Sequence, residues 1–206
     1  MSHDTTSRSA GPELILASAS PRRRELLDQI GVRYRVQAAA LDERQFPGES
    51  PGACVQRLAL AKAQHVHAKV QGHGVLVLGA DTAVVLDGLM LGKPADRAAH
   101  LAMISALAGR AHQVLTAVAL VGARGASVRL SDSEVQLRAI SAAEAGAYWD
   151  SGEPADKAGG YAIQGRGALF VRSLHGSYSG VMGLPLFETA ALLEEHGLLP
   201  GWKERA

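Results

Sequence analysis

Apolar residues in this chain come in short, sharply bounded runs. Leu14 to Ala17, Val75 to Leu78, Ala83 to Leu86 and Val114 to Val121 are nearly continuous in apolar side chains. Runs of that length predict strands buried on both faces. Tyr34 to Ala38 predicts a further strand, and Ser127 to Ile140 one that pairs with the Val114 run. Gly79 and Ala80 are expected to break the run that starts at Val75. Asp87-Gly88, between Leu86 and Leu89, predicts a hairpin, because a type I′ turn needs positive φ at both central residues. A hairpin starting near Asp81 and ending near Lys93 would bring an acid and a base to one rim.

Between these runs the spacing turns helical. Ser20 and Pro21 predict a helix start, Glu25, Leu26, Leu27 and Ile30 give its amphipathic pattern, and Gly31 is its C-cap. Pro51 opens a long helix in which Val55, Leu58, Ala59, Lys62 and Val66 fall near one face. Arg97 to Arg110 is a third helix, ended by Gly109. Ser141 with Glu144 is a capping box for a fourth, and Pro185 to Gly197 is the last. The mixture predicts an α/β protein with a mixed sheet flanked by helices. Residues 1–12 are polar and are expected to be a disordered tail, with residues 13–206 forming a single domain.

Composition narrows the function classes. The net charge is +1 over 206 residues, so no overall field draws the chain to nucleic acid or to an anionic membrane. No apolar run approaches the roughly 18 residues of a membrane helix, and the N-terminus has no apolar signal core. A cytoplasmic location is expected. The single cysteine, Cys54, is read as a small buried thiol. His65 and His67 are two apart and point to different helix faces, which argues against a metal pair. His73 and His112 lie near predicted loops and are assigned no role.

Four places carry candidate chemistry. The turn from the first strand into the first helix holds Ser18, Ser20, Arg22 and Arg23, and the free N–H groups of a helix N-terminus bind phosphate. A capped surface helix with solvated arginines explains the same residues equally well. Lys62 stands beside an apolar stripe, where a lysine ordinarily snorkels to solvent but could instead reach a phosphate. The loop from Leu41 to Gly52 carries Asp42 and Glu43, which a solvated turn would also explain. The segment from Gly152 to Gly183 has eight glycines, with Asp156, Lys157, Tyr161, Gln164, Arg166 and Arg172 among them. So many glycines imply unusual backbone or close approach to a ligand. Gly165-Arg166-Gly167 lacks the spacing of a dinucleotide fingerprint, and Lys93 is followed by proline, which excludes a P-loop.

Five blocks taken in order, LASASPRRRELL, RLALAKA, GADTAVVLDGLMLGKP, GEPADKAGGYAIQG and GSYSGVMGLPLFET, resemble the Maf family of nucleoside triphosphate pyrophosphatases. They run from Leu16 to Thr189, nearly the whole chain. The resemblance implies an elongated, two-lobed α/β fold similar to inosine triphosphate pyrophosphatases, with a central cleft. It implies hydrolysis between the α and β phosphates with a divalent metal, Mg²⁺ or Mn²⁺, and a homodimer. By match to the family's motifs, Asp81 is the proton acceptor, and Lys62 and Lys93 are phosphate-side lysines. Ser18 and Glu43 match site positions, and Arg23 joins the phosphate-binding set. Asp81 and Glu43 are the candidate metal ligands. Arg22, Thr82 and Gln164 resemble the branch that prefers dTTP and UTP and also takes modified pyrimidine triphosphates. A branch acting on 7-methyl-GTP would look like a bulky aromatic, His and Glu there. An amide such as Gln164 suits the carbonyl and N–H on a pyrimidine edge, whereas a cationic methylated guanine calls for an aromatic stack and a carboxylate. The alternatives are that second activity and a nucleotide-binding regulator of cell division acting through partner contacts.

Overall fold

The computed structural model describes residues 12–70 and 74–198. The chain runs β1 (Glu13–Leu16), α1 (Pro21–Gln29), β2 (Arg35–Val36), α2 (Pro51–His67), β3 (Val75–Leu86), β4 (Leu89–Leu91), α3 (Arg97–Leu107), β5 (Ala111–Gly122), β6 (Gly125–Leu137), α4 (Ala142–Asp150), β7 (Val171–His175), α5 (Tyr178–Met182) and α6 (Leu186–Glu195). Three short 3-10 turns, Glu153–Asp156, Ala158–Gly160 and Arg166–Phe170, lie between α4 and β7. The strands form one mixed sheet in the order β2-β1-β3-β5-β6-β7, with β4 paired to β3.

Alternation along the long strands sorts the core. Val75, Val77, Ala83 and Val85 of β3 meet Ala117, Ala119 and Val121 of β5 on one face, covered by Val55, Ala59, Ala63 and Val66 of α2. On the other face the same strands feed two clusters. Leu76, Leu78, Val118 and Leu120 pack under α1 and α6, and Val84, Leu86 and Val114 pack under α3 and α4. Between those two clusters lie Thr82 and Thr116, opposite one another in the register. The expected two lobes are these two clusters, carried on one continuous sheet.

The predicted break at Gly79 and Ala80 does not occur: β3 runs unbroken from Val75 to Leu86. Gly79 is there for another reason. A Cβ on it would stand 2.1 Å from the Ala59 carbonyl oxygen and 2.8 Å from the Ala63 nitrogen, so only glycine lets α2 lie this close to the strand. What breaks is the neighbour. On one edge β3 pairs with β1 through Leu78, then with β4 only from Val84. On its other edge it pairs with β5 throughout this stretch, from Val77 to Val85.

The hairpin forms as expected, with Asp87 at φ 51° and Gly88 at φ 79°. The capping box at Ser141 and Glu144 is present. Ser20 occupies the N-cap position of α1, but its side chain makes no cap hydrogen bond. The second predicted strand shrinks to Arg35–Val36, because it is an edge strand paired to β1 alone. The tail expected at residues 1–12 falls, save for Pro12, outside the described residues, as does His73. Among the described residues no helix is long and apolar enough to cross a membrane.

Candidate active site at the gap in the sheet

The unpaired stretch of β3 between β1 and β4 holds Asp81 and Thr82. Ligands in open α/β sheets sit beyond the carboxyl ends of strands where neighbouring connections diverge, and here β1 ends where the gap begins. Alternation sends Asp81 to the α2 face and Thr82 to the opposite face. A cleft of about 430 Å³ opens at this gap, lined by Ser18, Arg22, Arg23, Glu43, Lys62, Asp81, Thr82, Lys93 and Gln164. These are all the residues to which the family resemblance assigns a site role, drawn from six separate segments. That volume is in the range of small-molecule sites.

The acidic corner is built on Lys62. Its Nζ lies 2.6 Å from Asp81 Oδ1 and 2.9 Å from Glu43 Oε1. The side chain does not snorkel outward: Lys62 is 7% exposed. The close approach of α2 at Gly79 drives the lysine onto the carboxylate. Asp81 is also buried. Burial pushes its carboxyl above the ordinary range, against the opposing pull of Lys62 and then Arg23. Glu43 sits on the exposed loop and reaches in to the same ammonium.

Arg23 occupies the opposite face of the strand. Its Nε donates to the Gly183 carbonyl at 2.8 Å, one terminal nitrogen to Ser18 Oγ at 3.1 Å, and the other to Thr82 Oγ1 at 3.3 Å. Burial pulls its pKa down from the usual value. Each terminal nitrogen has a second N–H to offer a ligand. Thr116 Oγ1 lies 2.7 Å from the Gly180 carbonyl and 3.0 Å from Thr82 Oγ1. A carbonyl only accepts and a hydroxyl has one proton, so Thr116 donates to Gly180 and Thr82 donates to Thr116. The resulting chain runs Arg23 to Thr82 to Thr116 to the α5 backbone. Thr82 thus lines the cleft and also holds Arg23 in it.

Arg22 stands 3.6 Å from Asp156 across the cleft. Lys93 reaches the cleft from the loop after β4, and Gln164 is exposed on the loop between the second and third 3-10 turns. Arg166 and Arg172 do not line the cleft.

Two carboxylates that already share one cation, the Lys62 ammonium, are a hard-oxygen pair suited to a divalent cation. Mg²⁺ is commonly held by one or two carboxylates together with substrate phosphates. No group of three or more His, Cys, Asp or Glu that could hold a metal occurs among the described residues, so Asp81 and Glu43 fit a cation shared with a phosphate rather than a closed protein cage. Cys54 is buried, and its thiol is raised to about 11 by burial and then by Glu49, which disqualifies it as a nucleophile.

Two histidines lie outside the cleft lining. His112 is near a loop as expected, the second residue of β5 after the turn that follows α3, with Nε2 2.7 Å from the Tyr161 hydroxyl. Burial lowers its pKa to about 4. His65 lies within hydrogen-bonding distance of Lys69 on the surface of α2. The residues that sequence reasoning passed over are Thr116, Tyr148 and Glu153. Thr116 had one available signal, a hydroxyl in an otherwise apolar run.

The chain matches the family described as "Maf-like protein" over residues 13–196. It is 54% identical over 188 residues to the dTTP/UTP pyrophosphatase of Alkalilimnicola ehrlichii, covering 89% of this chain and 93% of the relative. It is 51% identical over 196 residues to that of Saccharophagus degradans, covering 94% and 93%. It is 52% identical over 193 residues to that of Burkholderia pseudomallei, covering 88% and 92%. Among solved structures, the Staphylococcus aureus Ham1 protein aligns with a TM-score of 0.42 at 18% identity, over 61% of this chain and 71% of that one.

Proposed function

We propose that this chain, which belongs to the Maf family, is a hydrolase that splits dTTP and UTP, and modified pyrimidine triphosphates, to the monophosphate and pyrophosphate. The observation that carries the reading is the buried Lys62–Asp81 pair with Glu43 and Arg23 around it, at the stretch of β3 left unpaired between β1 and β4. Relatives at about half identity over most of their length are named for this activity.

In this reading Arg23, Lys62, Lys93 and Ser18 receive the phosphates, beside the N-terminus of α1. Asp81 orients a water and takes its proton as the water oxygen adds to the α-phosphorus. The bridging P–O bond breaks and pyrophosphate leaves. Asp81 and Glu43 would hold a divalent cation together with the substrate, and it would supply charge neutralisation. Arg22 and Gln164 face the nucleoside end. The Gln164 amide offers an acceptor and donors to the pyrimidine edge, and Arg22 repels a cationic methylated base. The chain acts as a soluble enzyme of the cytoplasm, as a homodimer.

The test is pyrophosphate release from a panel of nucleoside triphosphates with Mg²⁺ or Mn²⁺, with Asp81→Asn as control and the leading substrate followed against pH. dTTP and UTP should lead, and the variant should lose about 10³-fold in kcat. Because Asp81 is raised by burial, activity should grow as pH climbs through a limb lying above the ordinary aspartate value of about 3.9. A lead for 7-methyl-GTP would leave the reaction class and remove the specificity reading. No hydrolysis at all would favour the binding regulator.

A further inference from the structure

Gln164 is exposed and sits on a loop without regular structure, yet reading a base edge requires a side chain fixed to within about half an ångström. What fixes it lies behind the loop. The Glu153 carboxylate accepts the Arg166 N–H at 2.8 Å and the Gly167 N–H at 3.1 Å. It also accepts the Tyr148 hydroxyl at 2.7 Å. The Tyr148 oxygen in turn accepts the Ala162 N–H at 3.0 Å. Three backbone donors, one before Gln164 and two after it, thus converge on one phenol and one carboxylate.

The loop's glycines are shaped to this arrangement. A Cβ on Gly165 would stand 2.5 Å from the Glu153 carboxylate, and one on Gly167 would stand 2.7 Å from the Tyr148 hydroxyl. Burial pushes the Glu153 carboxyl up, but the Arg166 N–H, the Tyr148 hydroxyl and the Gly167 N–H outweigh it and hold it below the usual range. The clamp is therefore charged at neutral pH. Tyr148 is anchored in the apolar cluster under α3 and α4, with its ring edge-on to Phe170. Neither Tyr148 nor Glu153 lines the cleft.

We propose that Tyr148 and Glu153 are positioning residues that clamp the Ala162–Gly167 loop and thereby set the base selectivity delivered by Gln164. The inference rests on the reading of Gln164 given above. It assigns the clamp no contact with substrate and no part in the phosphate chemistry.

The experiment compares UTP with GTP in the full-length parent, Tyr148→Phe, Glu153→Gln, Gln164→Ala and the Tyr148→Phe/Gln164→Ala double variant. Each variant is first checked for folding by circular dichroism. Tyr148→Phe and Glu153→Gln should raise the KM for UTP about tenfold and change kcat little, for each removes hydrogen bonds that hold the loop. The preference for UTP over GTP should fall accordingly. In the double variant, Tyr148→Phe should cost nothing further, because both changes act through one side chain. Folded single variants with an unchanged UTP preference overturn the proposal. Equal losses for UTP and GTP overturn it, as does an additive loss in the double variant. Failure of both single variants to fold overturns it too, since the clamp would then serve stability alone. A parent that hydrolyses neither UTP nor dTTP would instead defeat the underlying functional reading.

Discussion

The two ends of the cleft are held by different physics. At the phosphate end, charged side chains from regular elements hold one another. Lys62 comes from α2, Asp81 from β3 and Arg23 from α1, and each is fixed by ion pairs or side-chain hydrogen bonds in a buried setting. At the base end, Gln164 rides on an irregular loop whose backbone N–H groups are pinned by Glu153 and Tyr148. The difference teaches where each kind of error would fall. Damage at the first end leaves a buried charge without a partner and costs stability together with catalysis. Damage at the second lets an exposed side chain wander and costs discrimination first.

The sharpest way to break this contrast is Lys62→Met. It strips Asp81 of its nearest cation inside a buried site, which should cost about 3–5 kcal/mol of stability and nearly all turnover. Urea unfolding and the pyrophosphate assay check both, and a stable, active variant would remove the lysine from the centre of the site. The second expected effect is smaller and belongs to the other end. Gln164→Glu should leave the unfolding midpoint unmoved while lowering kcat/KM for UTP about 10- to 100-fold, as expected when a site built to hydrogen-bond a base edge is mismatched. An unchanged substrate profile would dismiss Gln164 from base reading. The smallest effect sharpens the link between the ends. Thr116→Val removes the hydroxyl that anchors Thr82, and so Arg23, to the α5 backbone. It should cost about 0.5–1.5 kcal/mol and lower kcat/KM a few-fold, with Thr116→Ser restoring both. Equal behaviour of the Val and Ser variants would show that the chain of hydroxyls does not hold Arg23.

Much of the fold was legible. Proline located the starts of α1, α2 and α6, glycine located the ends of α1 and α6, and Asp87-Gly88 located the hairpin, because those residues fix local backbone geometry regardless of context. β7 and α5 were not read at all, because the glycine-dense stretch that holds them has no clear periodicity, and β3 was misread. Gly79 looks like a break to any local rule, yet its lack of a Cβ serves a helix that lies more than a dozen residues earlier in the chain. Lys62 was ambiguous for a related reason. Spacing put it beside an apolar stripe, but whether it turned to solvent or inward depended on a carboxylate 19 positions away. The residues named from the motif blocks all reached one cleft. Those passed over, Thr116, Tyr148 and Glu153, support that cleft from behind.

By itself, then, the sequence determined the order of strands and helices from β1 to α4 and the final helix α6, the turn at Asp87, and the residue types that phosphate and base would require. These follow from propensity, periodicity and side-chain chemistry, which act over a few neighbouring residues. Only the tertiary structure decided that β1 and β4 leave Asp81 and Thr82 uncovered between them, that Lys62 is buried against two carboxylates, and that Gln164 is held by a phenol and a carboxylate behind it. Those are contacts between residues remote in sequence. Their energies depend on burial and on distances of a few ångströms, which exist only once the sheet and its helices have packed.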